Sequence, residues 1–78
     1  MYSVYAIRNS AGRIYVGMSA NVLRRLNEHN KGTVKSTRFW KPWILIHQEE
    51  VGNRTQARQI EKKLKSGFGK EFLKSLPG

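Results

Sequence analysis

With no cysteine anywhere in its 78 residues, the chain must fold without a disulfide or a thiolate-bound metal to hold it. A domain of this length buries little more than about 60% of its unfolded surface. Two tryptophans, three phenylalanines and three tyrosines therefore have to supply much of the packing. The expectation is one domain spanning residues 1–78. Absence of cysteine is consistent with a cytoplasmic location. No apolar run approaches the roughly 20 residues of a membrane span. The opening MYSVYAIR also lacks the charged-then-apolar order of a signal peptide.

Charge narrows the function. Fifteen Lys and Arg against five Asp and Glu leave a net charge of +10. A field of that sign attracts polyanions, above all nucleic acid. Attraction to an acidic membrane surface is the competing explanation. It is disfavoured because the basic residues are interleaved with aromatics that can stack on bases. No helix here carries the one-sided apolar face of a membrane-surface helix.

The segments YSVYAIR and RIYVG are short, β-branched and aromatic, and the polar NSAG between them signals a turn. They read as a hairpin with Tyr5 beside Tyr15 or within a residue of it. A first helix starts from Ser19 or Asn21, either of which can cap it, and stops near Asn30 or Gly32. KGTVKSTRFWKP is an irregular basic loop, and WILIHQEEV is a third strand whose unbroken apolar start suits a sheet centre. NRTQARQIEKKLKSG is a second helix capped at Asn53 or Thr55, and GKEFLKSL is a short final one. The order ββαβαα implies an α+β fold, a small, mainly antiparallel sheet with helices packed against it.

Helical wheels single out a few side chains. On the second helix Ala57, Ile60 and Leu64 form the apolar stripe, and Glu61 falls inside it. A carboxylate there needs a cation or a metal ion as partner. An arginine salt bridge satisfies it as well as a metal does. On the first helix Val22, Leu23 and Leu26 make the packed face, while Arg24 points to solvent. Arg25 and His29, one turn apart, share the edge of that stripe. The planar fork of Arg25 suits phosphate. His29 is either a half-buried helix-end imidazole or a proton shuttle. Tyr5 and Tyr15 are either cross-strand packing or phenols with a chemical role. Gly17 ends its strand and permits a close backbone approach. Ser19 at the following helix start could cap the helix or help hold a phosphate.

Together these residues resemble the GIY-YIG nuclease domain. The half-motifs are SVY (Ser3–Tyr5) and YVG (Tyr15–Gly17). Steps of ten residues separate Tyr5 from Tyr15 and Tyr15 from Arg25. His29 stands where members carry histidine or tyrosine, and Glu61 stands at the family's single metal-binding glutamate. The tail LKSGFGKEFLKSL is similar to small stand-alone bacterial members, which resemble the nuclease domain of the excision-repair incision subunit. Three positions depart from the pattern: Ser3 replaces the first glycine, Met18 stands where repair-type members carry lysine, and Phe72 where some carry asparagine.

The resemblance implies a three-stranded antiparallel sheet flanked by helices. It also implies endonucleolytic phosphodiester hydrolysis in DNA with one Mg²⁺ or Mn²⁺. Glu61 would hold the metal, Arg25 would neutralise the phosphate, and Tyr5 would be the favoured base, with Tyr15 and His29 orienting the water or sharing its proton. Lys31, Lys35, Arg38 and Lys41 around Phe39 and Trp40 would grip the backbone and stack on an unpaired base. Trp43, at a strand start, is expected in the core, whereas Trp40 is open between core and surface. No sequence-reading helix is visible, so selectivity should be for DNA structure: branches, nicks, flaps or single strands. The rival reading is a non-catalytic module that binds DNA or RNA on the same scaffold. A third reading, a partner-docking protein, explains the charge but not the spacing.

Overall fold

The computed structural model describes residues 1–76. Its elements are β1 (Tyr2–Asn9), β2 (Ile14–Ser19), α1 (Val22–Lys31), β3 (Trp43–Val51), α2 (Arg54–Lys65) and α3 (Gly67–Lys74). The order ββαβαα matches the sequence expectation. A single 3-10 turn, Arg38–Trp40, interrupts the basic loop.

The three strands form one antiparallel sheet in the order β2-β1-β3. The centre is β1, not β3, which corrects the reading of WILIHQEEV. Every residue from Ser3 to Ile7 is buried, whereas Gln48, Glu49 and Glu50 of β3 are exposed. Charged side chains of this kind suit an edge, where they discourage pairing with another chain.

Strand alternation divides the core in two. Val4, Ala6 and Val16 meet Ala57, Leu64 and Leu73 of α2 and α3 on one face. Tyr5, Ile7 and Trp43 meet Val22 of α1 on the other, with Tyr15, Leu26 and Leu45 around them. The apolar stripe of α2 is as its wheel predicts. The packed face of α1 is not: Leu23 is 71% exposed, and buried Val22 and His29 flank the partly buried Leu26. A face at i, i+4 and i+7 accounts for this arrangement.

Capping sets the helix limits. Asn21 caps α1 by accepting from the Arg24 amide, and Gly32 ends it in the left-handed region at φ 83°. Ser19 instead shapes the entry turn. Its Oγ accepts from Asn21 N–H and donates to Asn21 C=O, both at 3.0 Å. Asn53 caps α2, accepting from the Gln56 amide.

The hairpin register differs from expectation. Tyr5 pairs with Gly17 and Tyr15 pairs with Ile7. The turn chemistry explains the two-residue offset. Asn9 Oδ1 accepts from the amides of Ala11 and Arg13, fixing a longer loop than the bare NSAG signal suggests. The tyrosines become diagonal neighbours on one face, still within reach of each other.

Candidate active site

The α1 face of the sheet carries a buried polar layer. Tyr5 is 1% exposed, and its Oη lies 2.8 Å from Nε2 of His29, which is 0% exposed. Nδ1 of His29 lies 2.7 Å from Oγ1 of the buried Thr37. His29 thus sits beneath the surface rather than at an exposed stripe edge. Tyr15 lies above this layer. Its ring meets His29 edge-on at 5.0 Å and Tyr5 at 6.5 Å between centroids. It is half-buried, and among the described residues its hydroxyl has no hydrogen-bond partner.

Arg25 completes the cluster. Its Nη1 donates to Glu28 Oε1 at 3.1 Å, and its positive charge lies close enough to the Tyr5 phenol to favour the ionised form. Glu28 went unnoticed in the sequence. Its spacing from Arg25, three residues along a helix, was the available signal.

Gly17 is required by this packing. A Cβ there would stand 2.8 Å from Tyr5 Oη and 3.0 Å from Tyr15 Cε1. Gly17→Ala should displace both phenols. We expect a folded variant whose Tyr5 ring and hydroxyl resonances shift, read by NMR. Unchanged Tyr5 resonances would contradict this packing.

Burial pushes the Tyr5 phenol up to about 12, with a further rise from Tyr15 partly offset by Arg25. Its ionisation is therefore opposed, so service as a base requires a neighbouring cation to bring it down. Burial, and then Arg25, hold the His29 imidazole below its usual pKa, while Glu28 opposes the shift. Both signs can be tested in stability. A raised phenol pKa contributes stability that is complete below pH ~10 and lost as pH rises towards 12, about 2–3 kcal/mol in all. A lowered imidazole pKa contributes stability that is complete above pH ~6.5 and lost as pH falls through the folded value. Urea midpoints measured against pH should fall on both sides, and Tyr5→Phe should remove the alkaline excess over the lysine background. An alkaline limb identical in Tyr5→Phe would contradict the assignment.

Glu61 is carried by α2, on the opposite face of the sheet from α1. Its side chain is 15% exposed, and its carboxylate pairs with Lys65 at 3.6 Å, a lysine of its own helix rather than an arginine. Among the described residues no hydrogen bond or ion pair joins it to Tyr5, Tyr15, Arg25 or His29. A groove of about 390 Å³ lies along the β2 edge, and neither Glu61 nor Arg25 lines it. Tyr15 lines it with Lys65, Lys70 and Lys74. Met18 packs into the α2-side core, so its apolar character has a structural reason.

No group of three or more His, Asp or Glu side chains able to hold a metal occurs among the described residues. A lone carboxylate nonetheless fits Mg²⁺, which keeps several waters and takes one or two carboxylates with substrate phosphates. Glu61, with one long ion pair to an exposed lysine, retains the lone pairs for that role.

The candidate nucleic-acid contacts lie on or beside the basic loop. Lys31, Lys35, Arg38, Phe39 and Lys41 are exposed, with the Arg38 guanidinium 4.8 Å from the Phe39 ring centroid. Trp40 is on the surface, and its ring is already covered by the Arg13 guanidinium at 3.7 Å. Trp43 is core, as expected.

The pattern defining the GIY-YIG catalytic domain matches residues 1–74. The chain belongs to this family. GIY-YIG domains form a nuclease superfamily that acts on nucleic acid and generally uses divalent metal ions. A UPF0213 protein of Aeromonas salmonicida is 37% identical over 65 residues, 82% of this chain and 48% of that protein. One of Enterococcus faecalis is 38% identical over 77 residues, covering 91% of this chain and 88% of that protein. The solution NMR structure of a UPF0213 protein from Bacillus halodurans has a similar fold. It matches at a TM-score of 0.56 and 30% identity, over 94% of this chain and 82% of that one. The chain spans 48%, 62% and 58% of the first curated relatives it matches. Among the described residues no helix is long and apolar enough to cross a membrane.

Proposed function

We propose that residues 1–78 act as one metal-dependent endonuclease domain that cleaves phosphodiester bonds in DNA, selecting by strand structure rather than by sequence. The observation that carries this reading is the layered cluster on the α1 face. A half-exposed phenol and a partly exposed guanidinium lie above a buried histidine–tyrosine pair, in a chain of a nuclease family.

Arg25 binds the scissile phosphate and offsets the charge that grows on it, exchanging Glu28 for the substrate. Tyr15 meets the attacking water, because its hydroxyl is unengaged and half-buried, whereas Tyr5 is enclosed. Tyr5 and His29 act through others, holding Arg25 and the Tyr15 ring in place. Glu61 would hold the Mg²⁺ or Mn²⁺. Bound there, the ion would supply Lewis-acid stabilisation of the phosphate and of the leaving oxygen. Lys31, Lys35, Arg38 and Lys41 track the backbone, and Phe39 offers an open ring to an unpaired base. For Trp40 to stack on its covered face, it must first release Arg13.

The binding-module alternative rests on the same cluster. Arg25 is already occupied by Glu28, and the phenol it touches resists ionisation. One assay separates the two. The chain is incubated with branched, nicked and single-stranded DNA in Mg²⁺ or Mn²⁺, and in EDTA, with binding followed in parallel. Metal-dependent strand cleavage supports the nuclease. Binding with no cleavage in any metal supports the module.

A further inference from the structure

The basic loop is tied to the catalytic cluster by one buried hydroxyl. Thr37 is 1% exposed and precedes the 3-10 turn that bears Arg38, Phe39 and Trp40. Its carbonyl accepts from the indole N–H of core Trp43 at 3.1 Å and from the Trp40 amide at 3.0 Å. Its Oγ1 meets His29 Nδ1 at 2.7 Å and lies 3.5 Å from the Val34 carbonyl. From there the hydrogen bonds run through His29 to Tyr5, and the Arg25 guanidinium, paired with Glu28, lies beside that phenol.

A neutral imidazole has one N–H and one lone pair, so this chain has two possible directions. In one, Thr37 gives its hydrogen to Val34 C=O, His29 Nδ1–H donates to Thr37, and the Tyr5 hydroxyl donates to His29 Nε2. The phenol oxygen then keeps its lone pairs free beside the Arg25 guanidinium, and every hydrogen has an acceptor. In the other, Thr37 donates to His29 Nδ1 and His29 Nε2–H donates to the phenol oxygen. The phenol hydrogen then has no acceptor among the described side chains, in a residue enclosed from water. Buried polar hydrogens without partners are costly. Among the described residues no buried side-chain nitrogen or oxygen lacks a partner.

We propose that Thr37 is a positioning residue: it fixes the Nδ1–H tautomer of His29, and so directs the Tyr5 hydroxyl away from Arg25 and leaves the phenol oxygen free to hold the guanidinium. The consequence for catalysis rests on the reading of Arg25 as the phosphate-binding group. The tautomer itself does not. The loop that carries the candidate nucleic-acid contacts and the group poised for the phosphate are thereby joined through three side chains.

Ring-nitrogen NMR of the ¹⁵N-labelled chain tests this directly. The chain has two histidines, and His47→Gln assigns the other one. The wild type should show His29 protonated at Nδ1 with Nε2 as the lone-pair nitrogen. Thr37→Val, which keeps the shape and removes the hydroxyl, should shift the population to Nε2–H, and Thr37→Ser should keep the wild-type tautomer. In single-turnover cleavage of DNA, Thr37→Val should lower the rate at saturation by about 10- to 100-fold, as outer partners of functional imidazoles do, with little change in KM. Thr37→Ser should restore it. A wild-type spectrum with Nε2 protonated overturns the proposal, and so does a Thr37→Val spectrum that matches the wild type. A switched tautomer with an unchanged rate overturns the link to Arg25. If wild type and variants alike leave DNA intact, the nuclease reading fails while the tautomer result still stands or falls by its spectrum. Should Thr37→Val not fold, the wild-type and Thr37→Ser spectra still decide the tautomer, and the Thr37→Ser rate decides the link.

Discussion

Glu61→Gln is expected to reduce metal-dependent cleavage by about a thousandfold while DNA binding survives. The magnitude follows from the several kcal/mol that a divalent ion supplies to a transferring phosphoryl group. About 4 kcal/mol corresponds to three decades in rate. The fold should tolerate the change. Glu61 loses only its pairing with the exposed Lys65, an interaction of the kind worth about 0–1 kcal/mol. Thermal unfolding should therefore move little, and filter binding or fluorescence anisotropy should report near wild-type affinity. Equal cleavage by wild type and variant would remove Glu61 from the chemistry. A parallel fall in affinity and rate would make it a structural residue.

Arg25→Ala should lower the rate at saturating DNA by about 10²- to 10³-fold, the usual cost of removing a preorganised donor from a developing oxyanion. Binding should weaken by much less, because one phosphate contact among many is lost, and the salt dependence of binding should fall by about one ion. If affinity and rate dropped by the same factor, Arg25 would be a simple phosphate contact. Glu28 sharpens the comparison. Glu28→Gln frees Arg25 from its ion pair, so DNA binding should tighten at low salt and the difference should fade as salt rises.

Much of this fold could be read in the sequence, because short-range chemistry decided it. Asn21 and Asn53 are the helix caps, Gly32 is the helix stop, and Ala57, Ile60 and Leu64 face the sheet as their spacing requires. The misreadings came where a partner distant in sequence decides. WILI looked like a central strand, but the polar HQEE that follows it suits an edge, and β1 takes the centre. Tyr5 and Tyr15 were placed side by side, yet Asn9 lengthens the turn and sets them diagonally. The wheel of α1 put Leu23 inside, but the contacts made by Val22, Leu26 and His29 rotate that residue to solvent.

The site divides in the same way. Tyr5, Tyr15, Arg25 and His29 are brought together on one face. Burial then changes their chemistry. Tyr5 is driven away from ionisation and His29 is enclosed, consequences of packing that no spacing rule encodes. Thr37 gave no sequence signal, since one threonine in a basic loop is indistinguishable from its neighbours until the loop closes over His29. Glu61 stands on the far helix, paired with Lys65, and among the described residues no hydrogen bond or ion pair joins it to the cluster.

That α2 and α1 serve the same phosphodiester bond is the central claim, and a kinetic double-mutant cycle tests it most directly. Glu61→Asp and Arg25→Lys, which weaken rather than delete each group, are measured singly and together in single-turnover DNA cleavage. If the two groups stabilise one transition state, the combined loss will fall well short of the product of the single losses. Losses that multiply in full would mean that the carboxylate and the guanidinium act independently, and would contradict the account.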